Sequence, residues 1–525
     1  MKRTLSSFPP APSSVPAAGD PSLWLDEDEW QAAKPHEECG IFAIFRRDPP
    51  DRNNDFPAGA PGAPAPVDAA HDVRIDTYQA LFALQHRGQE SCGIAVNAGG
   101  DLFCRKDVGL VSEVFSGENL EKMPLGRMAV AHCRYGTTGA KNHNNAQPLL
   151  VNHHKGAMAL CHNGNLANAA DLRGKLEKRG AIFHSTSDSE VLSYVITQER
   201  LRTRSIEEAV RGAMKIVHGA YSIVLMTRAK IIAVRDPHGF RPLCMGHIGH
   251  DIVFASESCA LDAIGATFDR DLEAGEVVVV TANAVKSYRI DGAVHDGMCV
   301  FEYIYFARPD SVLDGASVQE ARLRAGSFLA LNHPVQADVV IGVPDSGIDA
   351  AVGFARQSGI PYGVGFVKNR YIARTFIEPG EQVRKNAVRM KLSAVSSAVK
   401  GKRVVMVDDS IVRGTTSARI VSLLRAAGAS EVHVRLSAPP FKFPCHFGTD
   451  IDSQDKLIAA HMDNEGIRKA IGADSLGYLA VEDCDKLARG AKCGFCKGCF
   501  TGSYPVAPPK STLKHKFERT LSARD

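Results

Sequence analysis

The run Val404-Val405-Met406-Val407-Asp408-Asp409-Ser410-Ile411-Val412-Arg413-Gly414-Thr415-Thr416-Ser417 constrains the fold more than any other stretch of the chain. Val404 to Val407 are apolar and mostly β-branched, as a central strand requires. Asp408 and Asp409 then fall at the carboxyl end of that strand, where open α/β sheets place ligands. Arg413 to Ser417 bring backbone N–H groups and hydroxyls to a helix N-terminus, a ready anion site. Ile420, Leu423, Leu424 and Ala427 mark the buried stripe of that helix, and Gly428 its stop. Val432 to Leu436 supply the next strand of a βαβ unit. The pattern suits a ligand with both hydroxyls and phosphate. The two acids hold ribose hydroxyls or Mg2+, and the loop holds a 5′-phosphate.

A chain of 525 residues is too long for one core and points to two substantial domains. Apolar residues make up 44% and charged residues 23%, a globular composition. The formal charge of +3 gives no argument for a nucleic-acid or membrane surface. No apolar run reaches the length of a membrane span. Lys2 and Arg3 are followed by Pro, Ser and Ala, where a signal peptide needs an apolar core, so the cytoplasm is the expected compartment. Thirteen cysteines, widely spread, do not make a disulfide scaffold; in a reducing compartment they suggest catalysis, metal or burial.

Residues 1–38 are Pro-, Ser- and Ala-rich and read as a poorly ordered leader. Structure is expected to begin at Cys39-Gly40-Ile41-Phe42-Ala43-Ile44-Phe45, a strand, with a surface insertion at 49–71. Short strands and helices then alternate, with a helix predicted from Ser187 to Glu199 and a hairpin pairing Ile223–Met226 with Ile231–Val234. The expected division is an α+β domain over 39–290, α/β units over 291–482, and a cysteine-bearing tail over 483–525.

Cys39 behind a leader suggests a new N-terminus after cleavage. A free α-amine, with a pKa near ~8, can act as base for its own side-chain nucleophile. By itself this cysteine reads equally well as a small buried hydrophobe. Other segments add polar groups: Arg87 in Gln85-His86-Arg87-Gly88-Gln89, and Arg134 and Thr137 in His132-Cys133-Arg134-Tyr135-Gly136-Thr137-Thr138-Gly139. Arg134 suits a bidentate grip on a carboxylate. Asn163 and Gly164, in Cys161-His162-Asn163-Gly164-Asn165, offer the parts of an oxyanion hole. Asp188, at a predicted helix start, either caps the helix or holds an ammonium group. Together they describe a site for an amino acid with a side-chain amide.

On these motifs, residues 39 to about 280 resemble the class II glutamine amidotransferase domain. That resemblance implies an N-terminal-nucleophile hydrolase with an αββα sandwich. The Asp408–Ser417 run resembles the phosphoribosyl pyrophosphate (PRPP) loop of type I phosphoribosyltransferases, implying a parallel-sheet domain. The two in one chain are similar to the amidophosphoribosyltransferase family, from Cys39 to about Pro505. The resemblance implies that the leader is removed, that Cys39 attacks the glutamine amide, and that Asn163 and Gly164 form the oxyanion hole. It implies glutamine binding by Arg87, Arg134, Thr137 and Asp188. PRPP binding would fall to Lys368, Arg374, Asp408, Asp409, Ser410, Arg413, Gly414, Thr415 and Thr416. The implied reaction makes 5-phosphoribosylamine, glutamate and pyrophosphate from PRPP, glutamine and water, with ammonia channelled between two sites. Feedback by purine nucleotides and a homo-oligomer, dimer or tetramer, are further expectations of the family.

Asp338 to Gly347 forms a second strand-to-helix loop, alone an ordinary Pro-Asp-Ser-Gly turn. Beside the first loop it resembles the family's pyrophosphate loop, and Mg2+ would be held by Ser346, Asp408 and Asp409. The basic run from Lys368 to Lys391, including Arg370 and Arg374, resembles the family's flexible lid. In the tail, Cys493-Gly494-Phe495-Cys496-Lys497-Gly498-Cys499 holds two C-x-x-C spacings, open to a redox pair or a metal. Here the family implies a [4Fe–4S] cluster on Cys259, Cys445, Cys496 and Cys499, with Cys493 as an extra whose exchange for Cys496 stays open. A rival acceptor domain of the sugar-isomerase or ATP-pyrophosphatase type is disfavoured by Asp408–Ser417.

Overall fold

Strand β1 (Gly40–Phe45) begins directly after Cys39 and is buried along its whole length. The computed structural model describes residues 39–47, 72–135, 143–369, 392–449, 451 and 453–509. The expected leader at 1–38, the insertion at 49–71, Thr137 and Arg374 lie outside the described residues.

With β1, strands β2 (Ser91–Ala98), β3 (Asp101–Val108), β4 (Met128–Arg134), β9 (Cys244–Ile248), β10 (Asp251–Ala255) and β11 (Thr267–Asp271) form one sheet. Its order is β11-β9-β10-β1-β4-β2-β3, antiparallel throughout. A second antiparallel sheet contains β5 (Leu149–His153), β6 (Gly156–Leu166), β7 (Gly219–Thr227), β8 (Ile231–Arg235), β12 (Glu276–Val280) and β13 (Val285–Arg289). Its order is β13-β12-β8-β7-β6-β5. The predicted hairpin is β7 and β8.

Because side chains alternate across a strand, each sheet has two faces to bury. Ile41, Ala43, Val130, Ala159, Val224 and Ala233 pack between the sheets. The outer face of the first sheet is covered by the helices Val73–Ala83 and Ser258–Ala263. That of the second is covered by Asp188–Arg202 and Ile206–Ala213. The result is the four-layered αββα sandwich.

Residues beyond 290 extend this unit. The short strand β14 (Met298–Cys299), a π-helix at Glu302–Phe306 and the hairpin of β15 (Val312–Leu313) and β16 (Ala316–Ser317) all belong to it. The first compact unit comprises Pro35–Ala321, Phe443–Gln454 and Cys484–Asp525. The boundary expected at 290 therefore falls some thirty residues later, because Met298, Val300, Phe301, Tyr303 and Phe306 of the added segment are buried within this unit.

The second unit includes Arg322–Lys442 and Asp455–Asp483. Its sheet is parallel, in the order β17-β20-β21-β22, from β17 (Val339–Gly342), β20 (Arg403–Asp408), β21 (Glu431–Leu436) and β22 (Ser475–Tyr478). Helices Gly347–Ser358 and Thr415–Ala426 follow β17 and β20. A separate antiparallel pair joins β18 (Phe366–Lys368) and β19 (Leu392–Ala394).

Candidate active site

The pairing of β1 with β4 sets Gly40 opposite Cys133, so Cys39 lies beside Arg134 and Tyr135. The Cys39 thiol faces the Tyr135 carbonyl at 3.6 Å. From β4, His132 reaches the second sheet, its Nε2 3.1 Å from the His162 carbonyl. Burial pushes His132 down to about 3, so the ring is neutral and Nε2 is the nitrogen that carries the proton. The Gln147 amide also grips His162, accepting from its N–H at 2.8 Å and donating to its carbonyl at 3.4 Å. β6 is thereby fixed immediately before Asn163.

The side chain of Asn163 is fully buried, yet neither its Oδ1 nor its Nδ2 has a hydrogen-bond partner among the described residues. An unsatisfied buried amide costs about 1–3 kcal/mol, so its retention points to a partner that arrives with a ligand. The next residue, Gly164, has φ +139°, and an added Cβ would lie 2.1 Å from the Ala220 carbonyl oxygen. Only glycine fits there, and its N–H is held in a fixed direction.

Asp188 is the first residue of its helix, whose cap is Ser187 rather than Asp188. One Asp188 oxygen accepts the Leu166 N–H at 2.9 Å, and the other is 3.9 Å from His162 Nδ1. Arg134 is buried, with one guanidinium nitrogen 3.3 Å from Glu90.

Arg87 departs from its expected role in binding glutamine. Its guanidinium is completely buried and donates to Glu257 at 2.6 Å and to both oxygens of Glu302 at 2.8 and 2.7 Å. Its Nε donates to the Cys39 carbonyl at 3.2 Å. A guanidinium so engaged has no fork to offer a substrate carboxylate. Burial opposes the charge on Glu257, but the adjacent His86 and Arg87 hold that carboxyl well below its usual range. Glu257 and Glu302 escape sequence reading because they lie 170 and 215 residues from Arg87.

In the second unit, the loops after β17 and β20 meet. Ser346 Oγ donates to Asp409 Oδ2 at 2.5 Å, and Ser410 Oγ to Asp409 Oδ1 at 2.6 Å. Asp408 accepts from the Asp409 N–H at 2.9 Å. Both acids and Ser410 are buried at the strand's carboxyl end. Gly414 takes φ +87° as the cap of the helix Thr415–Ala426, and an added Cβ would come within 2.7 Å of Ile458. The buried Thr416 hydroxyl has no partner among the described residues. Arg413 is half-buried in the same loop. Lys368, at the end of β18, pairs with Asp345 at 2.6 Å. The oxygen-rich set of Ser346, Asp408 and Asp409 suits a hard divalent cation.

The tail cysteines gather with a partner the sequence did not suggest. β14 pairs in parallel with β23 (Phe495–Cys496), setting Cys299 opposite Cys496. Cys445 and Cys496 pack beside Phe240, Phe447 and Tyr504. The Phe443 N–H donates to the Cys499 carbonyl at 3.1 Å. Burial, and then the neighbouring Cys445, Cys299, Cys496 and Cys484, push the Cys499 thiol far up. Burial raises Cys496 to about 12. Cys259, expected among these thiols, is elsewhere. It lies in the outer core of the first sheet, its thiol 3.6 Å from Glu257, and burial and that carboxylate push it up. Cys299, Cys445, Cys496 and Cys499 are thus neighbours, with Cys484, fully buried, also beside Cys499. The number and softness of these thiols suit an iron–sulfur cubane.

Cys493 belongs to another group. Ligand atoms of His295, Asp314 and Cys493 lie within 4.8 Å of one another. Arg235, however, takes both Asp314 oxygens at 2.7 Å, so the carboxylate is already neutralised by a bidentate ion pair.

Family models for a glutamine amidotransferase domain and a phosphoribosyl transferase domain match residues 132–263 and 321–438. The amidophosphoribosyltransferase of Synechocystis is 46% identical over 93% of this chain and 94% of its own length. That of Methanocaldococcus jannaschii is 47% identical over 89% and 98%. The solved glutamine PRPP amidotransferase of Bacillus subtilis, complexed with ADP and GMP, superposes with a TM-score of 0.81 at 43% identity. It covers 91% of this chain and 100% of that one. A structure described as the allosteric regulatory enzyme of purine biosynthesis gives a TM-score of 0.82 over 92% of this chain.

Proposed function

This chain belongs to the amidophosphoribosyltransferase family, whose glutamine-dependent reaction on PRPP is the first step of purine biosynthesis, and we propose the following division of labour among its residues. Cys39 is the nucleophile, exposed by removal of residues 1–38. Its α-amine takes the thiol proton, and the sulfur attacks the amide carbon of glutamine. Asn163 Nδ2 and the Gly164 N–H receive the oxyanion, ammonia leaves with the proton, and water hydrolyses the thioester to glutamate. Arg134 binds the α-carboxylate and Asp188 the α-ammonium. The observation that carries this reading is the buried, unpartnered amide of Asn163.

At the second site ammonia displaces pyrophosphate from C1 of PRPP. Asp408 and Asp409 hold the ribose hydroxyls. Ser410, Arg413, Gly414, Thr415 and Thr416 hold the 5′-phosphate at a helix N-terminus. Lys368 and Arg374 contribute positive charge. Mg2+, held by Ser346, Asp408 and Asp409, would neutralise pyrophosphate charge. The protein's own part is orientation and exclusion of water. A [4Fe–4S] cluster would be held by Cys299, Cys445, Cys496 and Cys499, and would fasten the tail. Ammonia passes between the sites without release. Purine nucleotides inhibit, in keeping with the ADP and GMP of the Bacillus subtilis complex. The protein works as a cytoplasmic homo-oligomer; no helix among the described residues is long and apolar enough to cross a membrane.

Intact-mass measurement of purified protein, beside a glutamine- and PRPP-dependent pyrophosphate assay, tests the nucleophile. Loss of residues 1–38 together with activity is expected. Full activity with Met1 retained, or glutamine-dependent activity in Cys39→Ala, overturns the mechanism. With 15N-amide glutamine and excess unlabelled ammonium, retained label in the product supports channelling, and dilution by the free pool refutes it.

A further inference from the structure

We infer that Arg87, Glu302 and Arg241 are positioning residues for the Cys39 step, joined in one buried line that runs from the nucleophile's own carbonyl to the cysteine-bearing segment 443–454. The inference rests on Cys39 being the glutaminase nucleophile.

The line is continuous. Arg87 Nε donates to the Cys39 carbonyl at 3.2 Å, and the same guanidinium grips Glu302 with two bonds of 2.8 and 2.7 Å. Glu302 Oε1 also accepts from Arg241 at 3.3 Å. Arg241 donates onward to the Phe447 carbonyl at 2.7 Å, and the Phe447 N–H points to the Cys445 sulfur at 3.5 Å. The Phe447 ring stacks on Phe240, with centroids 4.4 Å apart, which fixes the far end.

Two features separate this line from ordinary packing. Its charges balance in a fully buried setting: Arg87 and Arg241 against Glu257 and Glu302, all at 0% exposure. Neutralising one member leaves an uncompensated buried charge, so the set acts as a unit. The second feature is the point of attachment. The strand ladder begins at Gly40 opposite Cys133, and Arg87 extends fixed geometry one residue further, to the peptide group of Cys39. That peptide plane anchors the Cys39 Cα, the atom that carries both reacting groups, the α-amine and the thiol-bearing side chain. Glu302 stands at the start of a π-helical turn, an irregularity frequent at functional sites.

The test uses the full-length enzyme and three readouts: glutamine-dependent product formation, ammonia-dependent product formation, and alkylation of Cys39 by the electrophilic glutamine analogue 6-diazo-5-oxo-L-norleucine. Glu302→Gln keeps the shape and removes the charge. The expected result is a fall of about 10–100-fold in glutamine-dependent kcat and in the alkylation rate, as misaligned reacting groups produce. KM for glutamine and ammonia-dependent activity should stay within about threefold of wild type, below the effect of losing a binding contact. Equal loss of both activities, or unchanged alkylation of Cys39, overturns the positioning role. Should Glu302→Gln fail to fold, the double variant Glu302→Gln/Arg241→Gln restores charge balance but breaks the line. It should remain impaired in alkylation, and wild-type alkylation there overturns the proposal. Wild-type protein alkylated at a cysteine other than Cys39 defeats the nucleophile assignment itself, and this inference with it.

Discussion

Ser346 Oγ donates to Asp409 Oδ2 at 2.5 Å, tying the loop after β17 to the loop after β20. The bond is buried and its acceptor is a carboxylate, the stronger class of hydrogen bond. It presets the second loop before any phosphate arrives. Ser346→Ala is expected to lower stability by about 1.5–3 kcal/mol, the range for bonds to charged groups. The PRPP-dependent rate should fall with it, while glutamine hydrolysis at the first site is preserved. Thermal unfolding and separate assays of pyrophosphate and glutamate release check this.

Asn163 presents the opposite case. Its buried amide has no partner among the described residues, so it is a burden on the resting fold. Asn163→Ala should reduce glutamine-dependent kcat by about 10²–10³-fold, the effect of losing one oxyanion donor. The same change should leave the unfolding temperature unchanged or raise it. A lowered melting temperature with little change in kcat would mean that the amide serves the fold instead.

Cysteine identity gives a metal-loading prediction. On the proposed cluster assignment, Cys299→Ser should abolish iron content and visible absorption, because it removes one of the four proposed thiolate ligands. Cys259→Ser should retain both, since its thiol sits on Glu257 in the outer core of the sandwich. Iron analysis of the two anaerobically purified variants decides the matter.

Asp271 sets a pH dependence. Burial first, and the charge of Asp314 second, raise its carboxyl from 3.8 to about 6. An acid with a raised pKa in the folded state binds its proton more tightly there than when unfolded. Below pH ~4 both states are protonated, and the group has no differential effect. Between about pH 4 and 6 the unfolded state ionises first, so stability falls as pH rises, by about 3 kcal/mol in total. Above about pH 6 the effect levels off. Asp271→Asn should remove this slope in denaturant titrations across pH 4–7.

The second site was largely legible in the sequence because its chemistry is contiguous. Strand, acids, glycine and helix follow one another from Val404 to Ala426, and the parallel pairing of β17 with β20 brings Ser346 alongside. The strands of the sandwich were legible for a related reason: a short continuous apolar run such as Ile41–Phe45 marks a buried strand whatever it pairs with, whereas their αββα stacking came only with the family resemblance. Two assignments failed where partners are set by tertiary structure. Arg87 in a polar-looking loop reads as a substrate ligand, and only the folded chain reveals the carboxylates that claim it. Cys299 sits on a strand of two residues, too short to leave a periodic trace, and its pairing with Cys496 spans almost two hundred residues. The boundary expected at 290 failed for the same reason, since the segment through Ala321 belongs with strands far upstream.

The first unit is completed by Phe443–Gln454, which interrupts the second unit, and by the segment from Cys484 onward, which follows it in the sequence. On the ribosome the order is therefore inverted. The amino-terminal strands emerge early, the carbonyl of Phe447 that receives Arg241 emerges before the second unit's last strand, and the Cys496 that pairs with Cys299 emerges after all of that unit. Domains generally fold as units during synthesis, in order of appearance. Here the phosphoribosyl half can fold while the amide-hydrolysing half still waits for its last pieces. Translation order thus makes the cysteine-bearing tail the last piece to join the first unit.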